Sequence, residues 1–223
     1  MTAIYQTAYP RIKSDITQEE LGDVYTPTPE DQRFALRHCK RASASFLGLM
    51  VQLKTTQRLG RFASLGEIPK VIIAHIKNQC RSRVTFKDLQ SYYSSGAKDR
   101  HVKLIRRHLN IKAYDAAKTS ELAQAWALEA ATTKEELPDI INVTLEYLVK
   151  ERYELPAFSV LERICQSSRV EVNTRYYDQL CEFLEAESRQ CINDILRSST
   201  GVSGFGWSTL KNEPKRPTPR NIQ

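Results

Sequence analysis

The amino-acid sequence predicts an all-α protein of two small helical lobes, each with a helix-turn-helix-like element, followed by an extended C-terminal linker. Three observations carry that expectation. Apolar residues recur at i, i+3 or i+4 and i+7 along most of the chain. Strand-like alternation never persists beyond a few residues; its best candidate, 83–86, reads as the lead-in to a helix. Helix-start signals punctuate the pattern at Thr28-Pro29, Pro69, Thr85 and Pro138. The lobes are expected over 1–111 and 112–199 and the linker over 200–223.

Thr28-Pro29-Glu30-Asp31 combines a capping residue, a proline at the first helical position and acids in the first turn, so a helix runs from there to about Cys39. A second helix covers roughly 43–59, with Phe46, Met50 and Leu53 on one face. Gly60 and Gly66 bracket a turn, and Pro69 opens an apolar helix, KVIIAHIKNQ. Thr85 caps the short helix FKDLQSYYSS, and Ser95-Gly96-Ala97 reads as a tight turn into DRHVKLIRRHLN. On that helix Val102, Ile105 and Leu109 share one face, and Arg100, Lys103 and Arg107 share the opposite one. Two helices joined by a short Gly-containing turn, the second basic outside, match the pattern of a helix-turn-helix reader; an amphipathic helix with a merely solvated charged side has the same pattern.

An Ala-rich helix over 114–132, anchored by Leu122 and Trp126, begins the second lobe. Pro138 opens the next helix, with Ile141, Leu145 and Leu148 inward. Pro156 disfavours helix at Leu155, so the chain turns there and restarts near Ser159 with Leu161, Ile164 and Cys165 inward. A further helix is expected from about Glu171 to Arg197. Beyond it, Gly201, Gly204, Gly206, Pro214, Pro217 and Pro219 mark the extended linker, which carries Trp207 and ends just after a helix-start signal at Thr218-Pro219.

The net charge of +7 is unevenly spread. Residues 1–111 hold 19 Lys/Arg against 9 Asp/Glu, whereas residues 112–199 hold 10 against 16. Such asymmetry fits a first half that meets a polyanion, nucleic acid being the commonest, and equally fits a solvated basic surface. The five cysteines form no CxxC pair, so small buried thiols are expected rather than disulfides or a zinc site. His101 and His108, seven apart, read as a solvated stripe. Tyr92-Tyr93 and Tyr176-Tyr177 are each expected to place one ring inward. The sequence has no phosphate-binding glycine loop, no nucleophile elbow, no HExxH, no long apolar run and no signal-peptide pattern. A soluble cytoplasmic binding module without cofactor or metal is therefore expected before an enzyme.

Several segments together carry a resemblance. They are LGDVYTPTPEDQRF (21–34), FLGLMVQLKTTQRLGRF (46–62), DRHVKLIRRHLNI (99–111), LEYLVKERYELPAFSVLERI (145–164), YYDQL (176–180) and WSTLKNEPKRPTPRNI (207–222). The chain resembles the N-terminal region of the Tn-three-type transposases, bacterial enzymes that move unit transposons by replicative cointegrate formation. Its most specific piece is the Leu-Pro turn followed by Leu161-Glu162-Arg163; around it this chain has Lys150 and Arg152 with Glu151 between and Glu154 after. The resemblance implies binding to terminal inverted repeats in double-stranded DNA. It also implies that the acidic triad of the RNase-H-like catalytic domain lies beyond residue 223, so that this chain has no strand-transfer activity of its own. Arg81, Arg83 and Lys87 are then expected near backbone phosphates, with Arg100, Lys103, Arg106 and Arg107 on the groove-facing helix and Lys98 as a further DNA contact. Ser159, Arg163, Gln166 and Arg169 are expected to form a second contact set after the Leu-Pro turn. A module that associates with full-length transposase or with itself, and so inhibits transposition, is the competing expectation.

Overall fold

The computed structural model describes residues 4–13 and 15–197, so the expected linker lies outside the described residues. Among these residues the regular structure is helical. The α-helices are α1 (Gln18–Tyr25), α2 (Pro29–His38), α3 (Ala44–Leu59), α4 (Lys70–Gln79), α5 (Phe86–Tyr93), α6 (Gly96–Leu109), α7 (Lys118–Ala131), α8 (Leu137–Lys150), α9 (Phe158–Phe183) and α10 (Ala186–Arg197). They contain no strand; one isolated parallel bridge pairs Lys112 with Tyr153. The chain divides into two compact units, 1–172 and 173–223.

Most helix starts have a local cause. Thr28 accepts the Asp31 backbone N–H at 3.1 Å while Asp31 accepts the Thr28 N–H at 2.9 Å, closing a capping box on α2. Thr85 and Asp88 repeat the device on α5. Ser43 caps α3, which ends at Gly60 in the left-handed region at φ 66°. Thr17 caps α1, a short helix that no strong apolar repeat announces in the sequence.

The first core is built around α3, where every residue from Phe46 through Thr56 is buried. An unpaired charge on a helix buried all round is costly. Lys54 Nζ lies 3.3 Å from Asp31 Oδ2, and Gln57 Nε2 donates to Asp31 Oδ1 at 3.0 Å. Burial pulls the Asp31 pKa up. The Thr28 backbone, Gln57 and Lys54 outweigh it and hold the carboxyl below its ordinary value. One carboxylate thus caps α2 and ties it to α3.

The second core packs Ala127 and Ala130 of α7, Ile140, Ile141, Leu145 and Leu148 of α8, and Leu161, Cys165 and Val172 of α9. Tyr9 joins it from the N-terminal segment and donates its hydroxyl proton to the Pro156 carbonyl at 2.5 Å. The two cores share a seam. The Lys112 N–H donates to the Arg152 carbonyl at 2.7 Å, the Glu154 N–H to the Lys112 carbonyl at 2.8 Å, and the Leu155 N–H to the Gly60 carbonyl at 2.9 Å.

Several local expectations are corrected. α6 begins at Gly96, so the turn before it is only Ser94-Ser95. α7 starts at Lys118 and buries Ala123, Ala127 and Ala130, leaving Leu122 exposed. The segment expected as two helices around Glu171 is the continuous α9, since no Gly or Pro interrupts 158–183. The break falls instead at 184–185, where the Arg189 side chain donates to the Leu184 and Cys181 carbonyls. Tyr176 and Tyr177 are both exposed. Cys181 and Cys191 are exposed too, while Cys80 and Cys165 are buried as expected. His101 is buried at 7% exposure because it faces α5 rather than water.

Candidate nucleic-acid interface

The α5–α6 pair is held by a specific inner face. The Tyr92 ring of α5 lies against Gly48 of α3 so closely that a Cβ there would overlap it. Its hydroxyl lies 2.9 Å from His101 Nδ1 of α6 and 3.3 Å from Gln52 Oε1 of α3. Cys39 Sγ sits 3.5 Å from His101 Nε2. One proton arrangement serves all three contacts: Cys39 S–H to Nε2, Nδ1–H to the Tyr92 oxygen, and Tyr92 O–H to Gln52. Burial lowers the His101 pKa, and the charges of Arg100 and His38 lower it further, so the ring is neutral near pH 7. Burial raises the Tyr92 pKa, keeping the hydroxyl protonated.

With His101 and Ile105 fixed inward, α6 turns Arg100, Lys103 and Arg107 to solvent on one stripe. Lys98 is half-buried in the first turn. Arg81 and Arg83 are exposed on the connection before α5, and Lys87 is exposed in the first turn of α5. Arg106 stands apart from this group. Its Nε and Nη2 donate to Glu154 Oε2 at 2.9 and 2.6 Å, and its guanidinium lies 5.3 Å from the Phe62 ring centroid. This residue fastens α6 to the seam between the cores.

The second set lies on the first part of α9. Ser159, Arg163 and Gln166 are exposed and Arg169 is half-buried. Ser159, Arg163 and Gln166 lie on the face opposite Leu161, Cys165, Ser168 and Val172, which are buried, while Arg169 flanks that buried stripe. Burial pushes the Cys165 thiol up to about 11, so it remains protonated inside the core.

A cluster that sequence reasoning missed lies between α2 and α6. Arg33 and Arg37 of α2 and His108 of α6 line a concavity of about 230 Å³ together with Phe34 and Glu30. The Phe34 and His108 rings stack, with centroids 4.0 Å apart and an angle of 13° between planes. The only sequence signal was the i, i+4 arginine pair. A second concavity, about 300 Å³ between α4 and α5, is lined mainly by Leu47, Ile73, Val84, Phe86 and Leu89. Among the described residues no group of three or more His, Cys, Asp or Glu could hold a metal ion. No described helix is long and apolar enough to cross a membrane.

The family model described as Domain of unknown function (DUF4158) matches residues 1–168. The chain belongs to this family. The DUF4158 match takes in the α5–α6 pair and Ser159, Arg163 and Gln166 of α9. The chain is also 26% identical over 212 residues to the transposase for transposon Tn501 of Pseudomonas aeruginosa, across 92% of this chain and 20% of that protein. It therefore spans about a fifth of the length of that curated relative. The resemblance to transposases read from the sequence is met by this likeness.

Proposed function

We propose that this DUF4158 chain is a duplex-DNA-binding module that recognises the terminal inverted repeats of a transposon as part of a transposase. The observation that carries the reading is the exposed Arg100, Lys103 and Arg107 stripe on the second helix of a short-turned helix pair whose inner face is locked. A recognition helix has that arrangement: packed side chains fix its register, and long cationic donors face the groove. The likeness to a transposase supports transposon DNA as the ligand. Arg81, Arg83, Lys87 and Lys98 contact phosphates beside α6. Ser159, Arg163, Gln166 and Arg169 of α9 form a second contact set on the same duplex. In this reading strand transfer belongs to parts of the transposase outside this chain, binding needs no cofactor or metal, and the site of action is the bacterial cytoplasm, on the nucleoid.

Fluorescence anisotropy with a labelled repeat duplex and a composition-matched scrambled duplex tests this. With about four to six phosphate contacts at about 0.9 each in log–log slope, affinity falls roughly a hundred- to a thousandfold between 50 and 200 mM salt. The repeat is bound at least tenfold more tightly than the scrambled duplex. Equal affinity for the two, or indifference to salt, overturns the reading.

A second reading rests on the separate unit from Asn173 onward. There Tyr176, Tyr177, Leu180, Phe183 and Ile192 are exposed, Phe183 at 85%. Exposed apolar side chains in this number favour a protein contact, with transposase or with a second copy. Sedimentation of the purified chain, alone and with full-length transposase, tests it; a monomer in both mixtures excludes it.

A further inference from the structure

We infer that the concavity between α2 and α6 is a phosphate clamp: Arg33 and Arg37, with His108, seat one backbone phosphate of the duplex whose groove α6 enters. This rests on the reading of the chain as a DNA-binding module and adds a third element, α2, to it.

The geometry comes from a division of labour within one turn of α2. Phe34 turns inward and its ring stacks on His108, so α2 and α6 meet at this point. Arg33 and Arg37, one turn apart, stay on the exposed side of the same helix and line the cleft that the stack floors. Its volume of about 230 Å³ is several times the roughly 30 Å³ share of one water, room for a tetrahedral anion with part of its shell. The lining holds a single carboxylate, Glu30, against two guanidinium groups. Among the described residues neither arginine takes part in a salt bridge, so both forks are available to a ligand. A guanidinium fork matches two oxygens of a phosphodiester, and the stacked His108 ring adds a held N–H donor.

The location selects a nucleic-acid phosphate. His108 directly follows Arg107, about 100° further around α6, so the cleft borders the stripe assigned to the groove. Contacts flanking a recognition helix set register on the backbone while the helix reads base edges.

The test pairs protein and DNA changes. Arg33→Ala/Arg37→Ala is compared with the unaltered chain on duplexes carrying an uncharged methylphosphonate at single backbone positions. The expected result has three parts. The double variant loses about 0.9 from the salt slope, the share of one phosphate. It weakens binding to repeat and scrambled duplexes by the same factor. One methylphosphonate position weakens the unaltered chain but not the variant. Strictly multiplicative effects at every position, or an unchanged salt slope, overturn the clamp while leaving the module reading intact. A collapse of the repeat-to-scrambled ratio also overturns it, because α2 would then read bases. Failure of the unaltered chain to bind any duplex sinks the module reading itself. Arg33→Gln/Arg37→Gln serves as the second variant, with melting curves confirming the fold of each.

Discussion

At the scale of single residues, the contact that decides the α5–α6 geometry is the Tyr92 ring on Gly48. Gly48 is helical, so its small size matters here and its backbone freedom does not. Gly48→Ala must push Tyr92, and with it its contacts to His101 and Gln52. We expect a loss of about 1–3 kcal/mol, the usual cost of overfilling a packed core, read as a lower midpoint in urea unfolding. His101 supplies a second prediction. Its pKa is lowered in the folded chain, so the unfolded chain binds the proton more readily. The stability that neutral His101 provides is complete above its unfolded value of about 6.5 and is lost as pH falls towards the lowered folded value. Protonation also places an N–H where Nε2 had faced the Cys39 thiol. The melting temperature is expected to drop between pH 7.5 and pH 5.5, and His101→Gln to flatten that drop. An identical pH slope in the variant would remove His101 as its source.

At the scale of elements, most helices were legible because their ends carry chemistry that acts within four residues. Thr28-Pro29 and Thr85 announce α2 and α5, and Pro138 announces α8. What escaped the sequence depended on partners distant in the chain. The solvated reading of His101 failed because Tyr92, Gln52 and Cys39 come from three other places. The reading of Leu122 as an anchor failed because α7 meets α8 through its alanines, where close approach replaces large side chains. The α6 stripe was legible by spacing, but the diversion of Arg106 to Glu154, 48 residues away, was not. That difference separates two kinds of arginine on one helix. Lys103→Ala/Arg107→Ala is expected to lower the salt slope by up to about 1.8 and to cut the repeat-to-scrambled ratio, with little change in melting temperature. Arg106→Ala is expected to lower the melting temperature, since it uncouples a paired, half-buried carboxylate. Equal effects of the two changes on both measurements would remove the distinction.

At the scale of the whole 1–172 unit, the question is how the two cores are held together. The seam is narrow: the bridge at Lys112 and Tyr153, the Leu155 N–H on Gly60, and Arg106 on Glu154. The N-terminal segment adds further contacts beside it. Tyr9 places its ring against Phe158 with centroids 5.4 Å apart, and its hydroxyl on the Pro156 carbonyl. The Ala8 N–H donates to Asn142 Oδ1 at 2.8 Å. Residues at the start of the chain therefore hold the Leu-Pro turn that launches α9, although sequence order assigns them to the other lobe. Tyr9→Phe leaves the buried Pro156 carbonyl without its donor and is expected to cost about 1–3 kcal/mol. Tyr9 packs in the second core, with Arg61 beside its hydroxyl, so that loss should fall mainly on the second core. Hydrogen exchange is expected to quicken over α8 and the first half of α9, while amides of α3 keep their protection. If the seam makes one cooperative body of the two cores, protection falls equally in α3; the exchange pattern thus decides whether α6 and α9 are held on one rigid body or on two joined at a yielding seam.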